Sequence, residues 1–253
     1  MTTSTKTTID YSIFGAVTKK PVTKIRTLIA KNMMQSWSSI PHVTHHDEVD
    51  VSMIEALRKQ LNTTQKTNNL STSNKVTAHF TLLSFILKAV VDTLKIFPEF
   101  NASLDENSNT LILKHYYHLG IAVDTPDGLI VPVIKNTDAM TFENLALAMS
   151  DLAERTRTGK LTYADTEGGS FSVTSLGAIG GTGFTPIIKT PEVAILGVSR
   201  KINKVVACDG EIVFRPMLPL SLSYDHRVID GAMAARFMTH LRQLLTDPSH
   251  LIK

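Results

Sequence analysis

The amino-acid sequence predicts a mixed α/β sandwich, in which helices flank a mixed β-sheet. Segments with apolar residues at helical spacing are intermixed with strand-like segments along the whole chain. The 253 residues are enough for one large domain with a sizeable core. The composition is ordinary for a folded protein, with 43% hydrophobic and 19% charged residues.

The sequence predicts an N-terminal linker followed by a folded domain of helices and strands. Residues 1–20 are rich in Ser, Thr and Lys and are expected to form a linker, so the folded domain is expected to span 21–253. Helices are predicted at TKIRTLIAKNMMQSW, SMIEALRKQL, FTLLSFILKAVVDTLKIF, TFENLALAMSDLAERTRTG and a last segment from near Asp230 to before Pro248. Strands are predicted at HVTHHDEVDV, TLILKHYYHLGIAVDT, LIVPVI, GSFSVTSLG, EVAILGVSR and EIVFRPMLPLSLSYD. The polar segment NTTQKTNNLSTSN is predicted to be a surface loop.

Composition and motifs exclude several classes of function. No apolar run is long enough to span a membrane, and the first residues lack the apolar centre of a secretory signal. The single cysteine, Cys208, excludes an internal disulfide framework and a Cys-rich metal site, and it fits a reducing compartment. The net charge of +3 comes from scattered basic residues, so we expect neither a nucleic-acid nor a membrane partner.

The segment LSYDHRVIDG concentrates charged residues between a predicted strand and the last helix. Asp225, His226 and Arg227 end the strand, and Asp230 begins the helix. An imidazole, with an ordinary pKa of about 6.5, is suited to take a proton from a thiol or hydroxyl near neutral pH. Asp230, one turn along, is placed to orient a neighbouring cation or the histidine. The alternative is a purely structural polar cluster, whose side chains satisfy one another's hydrogen bonds at the end of a strand.

This segment resembles the His-x-x-x-Asp-Gly motif of the dihydrolipoyl acyltransferases, the core subunits of 2-oxo acid dehydrogenase complexes. The resemblance extends from about Phe14 to the C-terminus, in family order. It is carried by IPHVTHHDEVDVSMIEALRKQL, FNASLDE, YHLGIAVDTPDGLIVPVIKNTD, GGSFSVTSLGAIGGTGFTPIIKTPEVAILGVSR and MLPLSLSYDHRVIDGA. The last two segments are most similar to the acetyl-transferring, pyruvate-type bacterial branch, which implies a bacterial cytoplasmic protein.

The resemblance implies a chloramphenicol acetyltransferase-like fold that forms trimers, and a direct acetyl transfer between a dihydrolipoyl thiol and coenzyme A. His226 would be the general base, with no acyl-enzyme. A hydroxyl from across a subunit boundary would stabilise the tetrahedral oxyanion. The matching residue is Thr174 in FSVTS, where family members usually carry serine, and Ser175 is the alternative. An ordinary strand threonine is the structural alternative for Thr174.

Asp230 matches the acidic position of the family motif, which pairs in related enzymes with an arginine near the start of the domain. Lys24 occupies the matching position here, and a lysine cannot make the two parallel hydrogen bonds of an arginine. Either Lys24 makes a single contact with Asp230, or Arg26 or Arg227 takes its place as the partner.

Two further segments contain candidate residues for coenzyme A or metal binding. The resemblance places Arg58 near coenzyme A, and Lys59 stands beside it on EALRKQL, although charged residues on such a helix more often face solvent. His45 and His46 are adjacent on a predicted strand and so point to opposite faces. We therefore expect no metal site.

The partners implied by the resemblance are other copies of the chain, in trimers and a 24-subunit cubic core, and lipoyl domains. Pyruvate dehydrogenase and dihydrolipoyl dehydrogenase would attach through a peripheral-subunit-binding domain. Neither that domain nor a lipoyl domain is recognisable in the sequence, so the lipoyl group is expected on a domain absent from this chain. A chloramphenicol-type O-acetyltransferase and a non-catalytic core scaffold are alternative functions. The sequence does not decide between acetyl, succinyl and branched-chain acyl groups, because one or two methylenes change binding by only about 1–3 kcal/mol.

Overall fold

The computed structural model describes residues 9–69, 78–126, 128–208 and 210–252. Within them the α-helices are Lys24–Ser39 (α1), Ser52–Asn69 (α2), Leu82–Ile96 (α3), Phe142–Arg157 (α4) and Gly231–Thr246 (α5). The strands are His42–Asp50 (β1), Ala102–Asp105 (β2), Thr110–Leu113 (β3), Leu119–Ile121 (β4), Val123–Thr125 (β5), Gly128–Ile130 (β6), Val133–Ile134 (β7), Phe171–Ser175 (β8), Ala194–Val198 (β9), Ile202–Cys208 (β10) and Glu211–Asp225 (β11). None of the described helices is long and apolar enough to cross a bilayer.

The principal sheet has the strand order β1-β11-β9-β8-β4-β7, and β10 pairs with the first part of β11. β8 runs parallel to β4 and to β9, whereas the other neighbouring pairs are antiparallel. The hairpins β2–β3 and β5–β6 form two small separate sheets. The mixed sheet with its flanking helices confirms the predicted fold class.

The long strand β11 serves two sets of partners in succession. Its residues 211–217 pair with β10, and its residues 217–225 pair with β1. On the side away from β1, residues 220–224 also pair with β9. β10 is not among the strands predicted from the sequence, and its side chains alternate between half-buried and exposed.

The principal sheet has one apolar and one polar face. Leu222, Leu196 and Val173 align across β11, β9 and β8, and all three are buried in one core cluster with residues of α3, α4 and α5. The adjacent row, which begins with Ser221 and ends with Thr174, points to the opposite face because successive strand residues alternate. Hydroxyl-bearing residues therefore lie on the face that the helices do not cover.

The helix α2 is longer than the sequence analysis predicts. It continues to Asn69, so the first part of the loop predicted over 62–74 is helical, and residues 70–74 lie outside the described ranges. Asn62 holds this part of the helix in place. Its amide donates to the carbonyl oxygen of Phe80 at 2.9 Å, and its Oδ1 accepts from the Phe80 N–H at 3.0 Å. A tertiary hydrogen-bond pair thus stabilises a polar segment that has little apolar content of its own.

Candidate active site

His226 lies in a tight turn between β11 and α5. Its backbone N–H donates to the carbonyl oxygen of Pro41 at 3.1 Å, and the N–H of Val228 donates to that of Asp225 at 3.0 Å. The imidazole is exposed and lies 6.0 Å from the ring of Tyr224, centroid to centroid. No side chain in the described ranges hydrogen bonds to this imidazole. The backbone of His226 is therefore fixed, and its side chain is exposed.

The residues on either side of His226 form an ion pair. The carboxylate of Asp225, only 2% exposed, accepts hydrogen bonds from Arg227 Nε at 3.0 and 3.2 Å and from Nη2 at 2.7 Å. Arg227 Nη1 also donates to Glu106, between β2 and β3. The hydrogen bond with Asp225, followed by that with Glu106, raises the pKa of Arg227 despite partial burial. The turn that carries His226 is thus attached to the β2–β3 hairpin.

Asp230 is the N-cap of α5. Its Oδ1 accepts the backbone N–H of Met233 at 2.7 Å, and a carboxylate is favourable at a helix N-terminus. Within the described part of one subunit, Asp230 forms no ion pair with Lys24, Arg26 or Arg227. Arg227 binds the two carboxylates described above, and the other two side chains lie exposed at the start of α1.

Thr174 lies on the polar face of the sheet and is 9% exposed. It aligns through Gly197 with Ser221 and then with His46, one residue from each of four adjacent strands. His46 Nδ1 lies 2.9 Å from Ser221 Oγ. A Cβ at Gly197 would lie 2.8 Å from Phe184 Cζ, so glycine allows that ring to cover the row. A cavity of about 400 Å³ opens beside it.

The structure does not bring Thr174 and His226 together within one chain. β9 separates β8 from β11, which places Thr174 about 10 Å from its aligned residue Ser221. His226 follows Ser221 by five residues, or about 16 Å along a strand. The two side chains are therefore roughly 15–20 Å apart in a single subunit. One thioester carbonyl cannot contact both.

The residues expected near coenzyme A lie on α2. Arg58 Nη2 donates to Glu55 Oε2 at 2.8 Å, and Lys201 contacts the same carboxylate at 3.0 Å. Burial raises the pKa of Glu55, but the hydrogen bonds and charges of Arg58 and Lys201 outweigh it and lower the pKa overall. Lys59 is exposed. The coenzyme role of these two residues stays a prediction.

Sequence analysis missed a second group of buried ionisable side chains around Glu192, directly before β9. Glu192 is 3% exposed, and burial raises its pKa to about 7. Lys114, directly after β3, has a buried Nζ that hydrogen bonds to none of the described residues. The signal in the sequence was the position of Glu192, directly before the apolar segment VAILGV.

The chain matches a known protein family over nearly its full length. Residues 14–253 match the 2-oxoacid dehydrogenases acyltransferase catalytic domain. The chain is 47% identical over 238 residues to the dihydrolipoyllysine-residue acetyltransferase component of the pyruvate dehydrogenase complex of Cupriavidus necator. That alignment covers 94% of this chain and 41% of the relative, so the chain spans less than half of the relative's length.

Solved structures of the same kind superpose closely. The dihydrolipoamide acetyltransferase of Azotobacter vinelandii, studied for the roles of a serine, a histidine and an asparagine in catalysis, has a TM-score of 0.90 and 42% identity. The cubic core of a pyruvate dehydrogenase multienzyme complex has a TM-score of 0.90 and 43% identity. Both comparisons cover 97% of this chain and 98% of the other. A chloramphenicol acetyltransferase, at 14% identity, has a TM-score of 0.56 over 90% of this chain and 100% of its own, which confirms the predicted fold.

We expect Arg227→Met to lower the free energy of unfolding by about 2–3 kcal/mol, because it leaves the buried Asp225 carboxylate without its cation. The loss is smaller than the ~3–5 kcal/mol typical of a broken buried pair, since solvent reaches a third of the Arg227 side chain. Urea unfolding at fixed protomer concentration measures it.

Two variants test the cause of that loss. Asp225→Asn combined with Arg227→Met should be more stable than Arg227→Met alone, because no charge remains buried and unpaired. Arg157→Met removes an arginine from an exposed pair with Glu154 and should change stability by less than about 0.5 kcal/mol. Equal effects of Arg227→Met and Arg157→Met would show that the Asp225 pair contributes little.

Proposed function

The chain belongs to the family of 2-oxoacid dehydrogenase acyltransferase catalytic domains, and from this we propose that it transfers an acetyl group between a dihydrolipoyl thiol and coenzyme A in the core of a pyruvate dehydrogenase complex. The observation that carries the proposal is the state of His226. Its backbone is fixed directly after the long strand β11, while its ring is exposed and hydrogen bonds to none of the described side chains. A general base needs this combination of fixed position and accessible nitrogen.

The proposed reaction is a direct transfer between two thiols. In the direction that forms acetyl-coenzyme A, the coenzyme thiol attacks the carbonyl carbon of the acetyl-dihydrolipoyl thioester. His226 accepts the thiol proton as the new C–S bond forms, and the carbonyl oxygen becomes an oxyanion. The C–S bond to the dihydrolipoyl sulfur then breaks, and the imidazolium returns its proton to that sulfur. No bond to the protein forms, so no nucleophilic side chain is required.

The spacing of three residues supports the assignment of Thr174 as the oxyanion donor. In the Azotobacter vinelandii enzyme the serine precedes the histidine by 52 positions, and the asparagine follows it by four. Thr174 precedes His226 by the same 52 positions, and Asp230 follows it by four. Ser175 does not fit this spacing. A threonine retains the hydroxyl donor, although its methyl group restricts the rotamer.

We assign Asp230 a positioning role as the cap of α5. The relative carries an asparagine at the corresponding spacing, and asparagine caps a helix as well as aspartate does. An asparagine cannot form an ion pair. The property that both residues share is the hydrogen bond to the helix N-terminus, which fixes the turn that carries His226 against α5.

A second copy of the chain would complete the site. Because Thr174 and His226 are roughly 15–20 Å apart in one subunit, one of them must come from a neighbour. Exposed apolar side chains support such an interface. On α1, Leu28 is 59% exposed, and in the segment before it Phe14 is 77% exposed. Large exposed apolar surfaces mark interaction sites. We infer a trimer within a 24-subunit cubic core, by analogy with the solved cubic core at 43% identity.

Coenzyme A would bind through the cations of α2. The phosphates of the coenzyme require positive charge, and the exposed Lys59 would supply it. Arg58 directs Nη2 toward Glu55 but keeps a buried Nε that contacts no described acceptor. The dihydrolipoyl group would arrive on a lipoyl domain.

The first prediction concerns assembly. We expect light scattering at micromolar protomer concentration to give a mass of at least three subunits, and activity to fall on dilution below the assembly range. The physical reason is the separation of the two catalytic groups within one subunit. A fully active monomer would contradict the shared site.

The second prediction concerns His226. His226→Ala should assemble normally but lose about 10²–10⁴-fold in acetyl transfer from acetyl-coenzyme A to dihydrolipoamide, since that is the usual contribution of a general base. His79, an exposed histidine before α3, provides the matched control, and His79→Ala should retain parental activity. Activity of His226→Ala within about tenfold of the parent would exclude the base role. If the parent protein transferred acetyl to chloramphenicol instead, the chloramphenicol-type O-acetyltransferase would be favoured. Transfer to neither acceptor would favour the non-catalytic core scaffold.

The third prediction concerns Thr174. Thr174→Ala should lower kcat by about 10²–10³-fold with little change in the KM for coenzyme A, because the oxyanion exists only in or near the transition state. Thr174→Ser keeps a hydroxyl at this position and should retain most of the activity. If Thr174→Ala retains the parental kcat and Ser175→Ala loses it, the donor is Ser175, whose side chain points to the other face of β8.

A further inference from the structure

A second cavity, of about 730 Å³, lies between the β2–β3 hairpin, residues 166–169 and residues 189–192. Among the described residues, none of those assigned to acetyl transfer lines it. Its apolar wall includes Leu104, Ile112 and Pro191. Its ionisable groups come from every segment that surrounds it: Asp105, Lys114, His115, Tyr116, Glu167, Lys189 and Glu192.

Glu192 lies at the most buried part of this cavity. Its Oε2 has no hydrogen-bond partner in the described chain, and the carboxyl is 3% exposed. A Cβ at Gly169 would lie 3.0 Å from Glu192 Oε1, so that glycine makes room for the acid. Burial raises the pKa of Glu192 to about 7, against the opposing effects of Ser172, Lys189 and Lys114. Glu192 therefore exchanges its proton near neutral pH.

Lys114 contributes a donor to the same cavity. Its Nζ is buried and contacts no acceptor in the described ranges, although an ammonium carries three N–H donors. Burial lowers the pKa of Lys114, and the charge of Glu192 acts in the opposite direction. A buried ammonium nitrogen and a buried carboxyl oxygen that both lack hydrogen-bond partners are costly, because each has lost its hydration without replacement. One ligand with acceptor oxygens would satisfy both.

We propose that this cavity binds a small monocarboxylate with a short apolar tail, whose carboxylate accepts hydrogen bonds from Lys114 Nζ and from the protonated carboxyl of Glu192. The tail would lie along Leu104 and Ile112. A hydrogen bond from a carboxylic acid to a carboxylate is short and charge-assisted, and the proton stays shared between the two oxygens without net transfer. Lys189 adds a second positive charge.

The donor of Lys114 that lacks a partner favours a monoanion over other ligand classes. A cationic ligand could not accept its hydrogen bonds, and a dianion such as a phosphate ester would be repelled by Asp105 and Glu167. An uncharged ligand would leave the lysine charge unmatched. This inference is independent of the acetyl-transfer proposal, because it rests on no residue of that site.

Titration calorimetry with butyrate, on the assembled protein in buffers without carboxylates, tests the proposal. We expect saturable binding at pH 6 that weakens about tenfold at pH 8. Binding requires the Glu192 proton, and a group with a pKa of about 7 is roughly 90% protonated at pH 6 and roughly 10% at pH 8. The affinity therefore falls as pH rises.

Two variants separate the roles of the acid and the ammonium. Glu192→Gln keeps a donor that does not titrate, so it should bind butyrate with little difference between pH 6 and pH 8. Lys114→Met should lose binding at least about tenfold at both pH values, the loss typical of a buried charge-assisted hydrogen bond. Lys160→Met, at an exposed lysine outside the cavity, should leave the affinity unchanged.

Several results would overturn the proposal. They are the absence of saturable binding by the parent, a parental affinity that is equal at pH 6 and pH 8, and full affinity in Lys114→Met. Displacement of butyrate by coenzyme A would place the ligand in the acetyl-transfer site instead. Circular dichroism and light scattering check that each variant folds and assembles. If Lys114→Met fails that check, the pH dependence of the parent against Glu192→Gln decides the question.

Discussion

β11 pairs with β1 and β9 along the same stretch. Its register therefore determines which side chains reach the core and where the turn that carries His226 begins. Leu220 and Leu222 point into the helical core, whereas Ser221 and Ser223 point to the polar face. A slip of one residue would exchange the two sets and bury hydroxyls among the apolar helices. The polar face reinforces the register, because Thr44 Oγ1 lies 2.8 Å from Ser223 Oγ. The position of the turn after β11 is a consequence of this register.

The same sheet keeps the two proposed catalytic groups apart. The base follows the end of β11, and the hydroxyl of Thr174 lies two strands away near the middle of the polar face. If both groups act on one carbonyl, as proposed, a single subunit holds two incomplete halves of the site, and association between copies joins them. Under that proposal activity depends on assembly by mass action, since protomer concentration controls the population of complete sites.

The sequence predicts the elements that bury many apolar side chains and misses those that depend on a partner. α3 and α5 have clear apolar patterns, and their positions agree with the prediction. β10 was not predicted although most of its residues are apolar; none of them is fully buried, and the strand is held by pairing with β11. The turn that carries His226 was predicted from LSYDHRVIDG, but the pairing of Arg227 with Glu106 was not, since Glu106 is distant in sequence. The distance between Thr174 and His226 likewise depends on strand order, which local spacing does not encode.

Two buried carboxyls in this chain differ in their hydrogen-bond partners. Asp225 faces a guanidinium whose fork reaches both of its oxygens, so its charge is matched at short range. Glu192 is influenced by lysines that are point charges and leave Oε2 without a partner, so burial dominates and its pKa rises to about 7. The folded chain thus binds this proton more tightly than the unfolded chain does. The stability that the proton contributes is complete below pH 4.5 and declines as pH rises toward 7. A fold that needed only a stable core would place an apolar side chain at residue 192. The buried acid lowers stability near neutral pH, and a ligand that uses its proton would offset that cost.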